Sequence, residues 1–393
     1  MTGPGDLASR WLGASVLAAS DESFGEKEYL LTPGPAAFEP GHFGPRGEIV
    51  DGWETKRRRE PGHDWALIRL GAPGVITEVD VDTSFFTGNH PESCLVEACG
   101  AEGYPSPAEL TGPGTAWTEI VPRSPLRGDA HNAFGVTDPQ RFTHVRLSTF
   151  PDGGVARLRV RGHVVPDPRE LDGLTIDLAS QRYGGAVVAS SDEFYTSSGL
   201  LNRPDLARTM GEGWETRRRR DGGPDHAVLR LGLAGQVRQL VIDTAHFKYN
   251  ASAAVEVWAS GDDPAPAADS AAWQPLLART RLQPDTRHVL PVASPEVVSC
   301  IRVDAFPDGG LSRVRVIGAI APEARVQAGH RWFNALPAAQ ATAALESVGV
   351  PAETAAGIVS ERPLAVGIHD QDGALPGLAG SHHRVLAAFL TGR

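Results

Sequence analysis

Three blocks of this sequence occur twice in the same order, which limits the chain to folds that can be built as two like units in series. LGASVLAASDESF, around Asp21 and Glu22, returns as YGGAVVASSDEFY, around Asp192 and Glu193. DGWETKRRREPGHDWALIRLG (Asp51 to Gly71) returns as EGWETRRRRDGGPDHAVLRLG (Glu212 to Gly232). HVRLSTFPDGGVARLRVRG then returns as CIRVDAFPDGGLSRVRVIG, with Phe150 matching Phe306. The second copy lacks residues between blocks, chiefly the loop TPGPAAFEPGHFGPRG, and such indels belong at surfaces. The polar, proline-bearing stretch VVPDPRELDG (Val164 to Gly173) reads as a connector. It separates a first domain at 1–165 from a second at 173–322. From 323 to 393 the chain turns alanine-rich, with Trp332, Phe333, Leu336, Ala339 and Leu345 at helical spacing.

Each copy is filled with short strand signals. ALIRLG and AVLRLG, VITEVDVDT and VRQLVIDT, VARLRVRG and LSRVRVIG all alternate apolar and polar residues. Each arginine-bearing ladder follows FPDGG, a turn in which proline presets φ and glycine accepts positive φ. The 44 glycines and 31 prolines suit a chain that reverses often. The expected fold is all-β, two tandem jelly-roll sandwiches followed by a short helical tail.

The net charge of -11 opposes a nucleic-acid binder, even with KRRR and RRRR present, because phosphate binding needs clustered positive potential. Cys94, Cys99 and Cys300 form neither a disulfide framework nor a CxxC pair and read as buried free thiols. No leader-like or membrane-spanning apolar run is evident, so a cytoplasmic location is expected.

The block DGWETKRRR sets an acid, an aromatic and four cations side by side. If it is extended, Trp53, Thr55, Arg57 and Arg59 share one face, and Glu54, Lys56 and Arg58 the other. Guanidinium groups on one face fit a small carboxylate ligand. Alternatively they tie strands together by pairing with Glu54, Asp64, Asp80 and Asp82. The second copy offers Trp214, Glu215, Arg217, Arg218, Arg219 and Asp225 at the same places. Asp82 and Thr83 recur as Asp243 and Thr244, either as site residues or as turn anchors. His63 and His246 are candidates for proton transfer. However, His63 aligns with Pro224 and His246 with Phe85, so the two copies cannot hold identical sets. No metal-ligand spacing, P-loop, nucleophile elbow or dinucleotide fingerprint is present, and a divalent metal has no support in the sequence.

SDEF, DGWETKRRR, GHDW, a strand ending RLG and VDVDTSFFTGN resemble the allantoicase family, over both copies and roughly residues 7–320. Lys56 stands in for an arginine, and the second copy has GPDH for GHDW. The resemblance implies galactose-binding-like jelly rolls and hydrolysis of allantoate to ureidoglycolate and urea. It also implies a substrate carboxylate held by Arg57 to Arg59 or Arg217 to Arg220, with Asn89, in VDVDTSFFTGN, beside the substrate. Glu54, Asp64, Glu215, Asp225, His63 and His246 are left to orient ureido groups or move protons. The tail, HRWFNALP, resembles the opening of ureidoimidazoline decarboxylase over about 25 residues, without that enzyme's motif. The rival reading is a β-sandwich that binds a ligand or carbohydrate without chemistry. Whether the chain forms a homo-oligomer is not written in the sequence.

Overall fold

The computed structural model describes residues 5–294, 296–365 and 380–392. Residues 1–4 of the expected first domain, and 366–379 and 393 of the expected tail, lie outside the described residues. The chain forms two compact units, one ending at Val165 and joined by Ala335–Ala343, the other comprising Pro166–Asn334 with the rest of the tail.

In the first unit a strand of 19 residues, Asp64–Asp82, serves both layers of a sandwich. Its first half pairs antiparallel with Ser15–Ala19 and Arg141–Phe150, and the latter continues to Ser93–Cys99 and Thr118–Pro125. Its second half pairs with Arg157–Val164 and His131–Gly135. The strand turns from one layer to the other just after RLG. A Cβ on Gly71 would stand 2.5 Å from the Leu12 side chain and 2.8 Å from the Ala14 nitrogen, so only glycine admits that approach. Ala66, Ile68 and Leu70 face the core before the turn, and Val79 and Val81 after it. The parity changes because the pairing with Arg157–Val164 slips between Arg161 and Gly162, a bulge that leaves Thr77 outside the ladder.

The second unit repeats this plan. Its strand Asp225–Asp243 is also 19 residues long, pairs with Ala186–Ser190, Val298–Phe306, Arg313–Ile320 and Arg287–Pro291, and slips between Val237 and Gln239. Gly232 meets the Tyr183 carbonyl as Gly71 meets Leu12. Both units are jelly-roll β-sandwiches, as the alternation of the sequence requires. The described tail is helical, at Pro322–Ala335, Ala338–Glu346, Ala352–Ser360 and Gly380–Thr391. Trp332, Phe333 and Phe389 pack there in tilted and edge-to-face contacts, with Arg169 over Trp332 at 4.3 Å and Arg325 paired to Asp172 at 2.6 Å. No helix among the described residues is long and apolar enough to cross a membrane. All three cysteines are free and buried, and burial pushes each thiol up to about 12.

His144 lies almost wholly enclosed in the strand Arg141–Phe150, with Nδ1 2.8 Å from the Thr143 hydroxyl. Burial, helped by Arg69, brings its pKa down to about 4. Above pH ~6.5 the ring is neutral whether the chain is folded or not. As pH falls from there toward 4, the unfolded chain takes up a proton that the folded chain refuses, and about 3 kcal/mol of stability is lost. His144→Phe is therefore expected to flatten the acid limb of the stability profile, measured by urea unfolding at pH 7 and pH 4.5. An unchanged slope would show that His144 is not the group responsible.

Candidate active site

The recurring blocks meet at one end of each sandwich. Trp53–Glu54 pairs with Gly154–Val155, and Trp214–Glu215 with Gly310–Leu311, so each tryptophan dipeptide lies against the glycines of its own FPDGG turn. Alternation over these two residues sends the indole inward and the carboxylate toward the rim. Trp53 and Trp214 are fully buried, and each indole N–H donates to a backbone carbonyl, of Asp21 at 2.8 Å and of Asp192 at 2.9 Å. They are core residues rather than walls of a cleft. The next residues, Thr55 and Thr216, accept the Gly153 and Gly309 N–H at 3.1 and 2.8 Å and fasten the turn.

There the strand ends. The extended block expected through Arg59 is two residues of strand followed by irregular backbone. Carboxylates catch the backbone N–H of alternate residues instead: Asp21 takes Lys56, Asp152 takes Arg58, and Asp192 and Asp308 take Arg217 and Arg219. The side chains follow the same alternation. Lys56 reaches Asp21 at 3.3 Å and Arg217 reaches Asp192 at 3.8 Å. Arg58 and Arg219 bond Asp64 and Asp225, each at 2.8 Å. Arg57, Arg59, Arg218 and Arg220 are exposed and have no ion-pair partner among the described residues. Half the cations of each block thus pair with carboxylates of the fold, and half are left without an ion-pair partner among the described residues.

Asp64 and Asp225 are buried acceptors for those arginines and for the hydroxyls of Ser20 and Ser191. Both are enclosed ion-pair partners of the block; the second oxygen of Asp225 takes the Thr216 hydroxyl at 2.7 Å, and that of Asp64 is buried with no hydrogen-bond partner among the described residues. Asp82 and Asp243 cap their own turns, accepting the N–H of Ser84 and Ala245 at 2.8 Å. Thr83 and Thr244 donate to the Arg127 and Gln283 carbonyls, both at 2.6 Å. These contacts make all four turn anchors. His63 is exposed, with its ring 4.9 Å from that of Phe150.

Glu54 and Glu215 remain. Asn89 donates to Glu54 Oε1 at 2.7 Å, and Asn250 to Glu215 Oε1 at 2.6 Å. Burial raises the Glu54 carboxyl above its ordinary value, against the Asn89 hydrogen bond, which lowers it. The side-chain amide spends one carboxylate oxygen and aims the other. Asn250 was not among the expected site residues, although FTGN and FKYN align it with Asn89.

Sequence reasoning also passed over Arg157 and Arg313, read only as parts of strand ladders. Both are fully buried. Arg157 bonds Asp51 Oδ2 at 2.6 Å and the Asp51 carbonyl at 2.9 Å, and Arg313 bonds Asp205 Oδ1 at 3.0 Å and the Glu212 carbonyl at 2.6 Å. Each thereby holds the loop that leads into the tryptophan segment. In the first unit this loop borders a cleft of about 270 Å³ lined by residues including Phe38, Glu48, Asp51, Phe85, Thr87 and Asn89.

The positions of Phe85 and His246 are unusual. Among the described residues four non-glycines have positive φ, and they form two equivalent pairs: Phe85 (68°) with His246 (71°), and Asp129 (47°) with Asp285 (49°). The Phe85 and His246 N–H groups are held by Asp129 and Asp285 at 2.8 and 2.7 Å. A left-handed backbone costs a bulky residue roughly 1–3 kcal/mol, yet both copies keep it. Among the described residues no group of three or more His, Cys, Asp or Glu is arranged to hold a metal ion.

A family model described as "Allantoicase repeat" matches residues 5–165 and again 176–321. The match stops short of the tail, whose likeness to a decarboxylase gains no support from it. A probable allantoicase of Streptomyces coelicolor is 48% identical over 341 residues, covering 83% of this chain and 89% of that protein. One from Nocardia farcinica is 46% identical, covering 80% and 93%. The crystal structure of allantoicase from Saccharomyces cerevisiae superposes with a TM-score of 0.68 at 32% identity, covering 80% of this chain and 92% of that one. With both repeats matched and nearly half the residues identical to its bacterial relatives, this chain belongs to the allantoicase family.

Proposed function

We propose that this chain hydrolyses allantoate to ureidoglycolate and urea, and that it works in the cytoplasm, where unpaired buried thiols persist. The observation that carries the assignment of the site is the duplicated glutamate–asparagine contact beside an arginine block only half used by the fold. Allantoate carries a carboxylate and two ureido groups on one carbon. Water's oxygen bonds to that carbon, one C–N bond breaks, and a water proton ends on the departing nitrogen, so one allantoate and one water give one ureidoglycolate and one urea.

The free Arg57, Arg59, Arg218 and Arg220 supply the charge that binds the carboxylate and holds the substrate in reacting geometry. Glu215 moves the proton through the carboxylate oxygen that Asn250 leaves open, and Glu54 with Asn89 is its counterpart in the first unit. Arg58 and Arg219 serve from behind, as the ion pairs that keep the block in place. No acyl-transfer nucleophile is required.

Urea release from allantoate is the test of the activity. The double variant E54Q/E215Q is expected to lower kcat roughly 10²–10⁴-fold, the range of general acid–base catalysis. Retention of wild-type turnover would exclude both carboxylates. Exchanging Arg57 and Arg218 together for alanine is expected to raise KM about tenfold or more with a smaller change in kcat, because a charge-assisted contact to the carboxylate is worth ~1.5–3 kcal/mol. An unaltered KM would return these arginines to the solvated surface.

A further inference from the structure

The two units share their scaffold and differ in the one side chain that their duplicated left-handed backbone presents. In the second unit it is His246, half-buried, with Nε2 3.0 Å from the Ala207 carbonyl. A carbonyl oxygen only accepts, so Nε2 carries the hydrogen and Nδ1 of the neutral ring keeps a lone pair. In the first unit the residue is Phe85, 47% exposed, with its ring centroid 5.9 Å from that of Phe38. Phe38 comes from the loop that the second copy lacks, and the two rings face the 270 Å³ cleft with Asn89, Thr87 and Ser84. A phenyl ring can stack on a planar ureido group but cannot take a proton from water.

Resting on the activity proposed above, we infer that the copies have divided the work. The second unit hydrolyses the ureido acid, with His246 Nδ1 accepting the proton of the attacking water as its oxygen bonds to the diureido carbon. That proton passes through Glu215 to the departing ureido nitrogen, so His246 and Glu215 end each turnover as they began. The first unit holds the same class of ligand, a small ureido compound, between Phe38, Phe85 and Asn89 without turning it over. Its cleft is a second binding site. Of the two carboxylates that line the cleft, Asp51 is ion-paired to Arg157 and accepts the Ala37 N–H, and Glu48 accepts the Gly41 N–H.

His246→Phe reproduces in the second unit a residue that the first unit already accommodates at the same backbone angle. His246→Asn is the companion variant, since asparagine tolerates positive φ. Each is expected to lower kcat/KM for urea release at least 100-fold, and near-wild-type turnover in either overturns the assignment of His246. Equilibrium dialysis of the His246→Phe chain against allantoate is expected to count two molecules per chain, falling to one when Phe85→Arg is added to fill the first cleft. A count that Phe85→Arg leaves unchanged overturns the second site. A wild-type chain that releases no urea from allantoate fails at the activity itself, and the division of labour falls with it. A wild-type chain that is active while these variants behave otherwise overturns the division alone.

Discussion

The antiparallel contact between a tryptophan–glutamate dipeptide and the paired glycines of an FPDGG turn is the constraint on which each site rests. Because side chains alternate across a strand, fixing Trp53 in the core fixes Glu54 at the rim, and the same holds for Trp214 and Glu215. The glycines are required by crowding. A Cβ on Gly154 would lie 2.0 Å from the Phe86 ring, and one on Gly310 only 1.9 Å from the Asn250 carbonyl. The turn and the residue that presents the asparagine are therefore packed into one body, which gives the glutamate a fixed partner rather than a solvated one.

Much of the fold was legible because the chain states it twice. Alternating strands, the RLG glycines and the FPDGG turns each carry a local signal, and agreement between copies removed accidents of composition. The arginine block was harder. Four successive cations look alike in a sequence, and which of them is structural depends on carboxylates far along the chain, Asp152 and Asp308 among them. The expectation of a continuous strand failed because those carboxylates capture the backbone N–H groups that a neighbouring strand would have paired. Asp64 and Asp225 drew attention for their charge, yet their burial beside Arg58 and Arg219 is set by tertiary packing.

What the sequence left unseen is also instructive. The internal alignment named Phe85 and His246 as unlike residues at one position, but nothing in it showed that the position is left-handed in both copies. A backbone angle unfavourable to phenylalanine and histidine alike survives only where surrounding bonds over-determine it. The aspartates at 129 and 285 supply those bonds. The duplicated feature is therefore the geometry, and the side chain upon it is free to specialise.

Arg157 grips its loop largely through main-chain oxygens, those of Tyr29, Pro35 and Asp51 as well as its own neighbour Ala156. Arg159 does likewise at Thr32 and Gly34. A clamp of that kind reads the path of a segment and is nearly blind to its spelling. Mutation can rewrite or lengthen such a segment without loosening it, which is how one half of a duplicated gene could acquire a longer, proline-rich border around its cleft while its twin kept a short one.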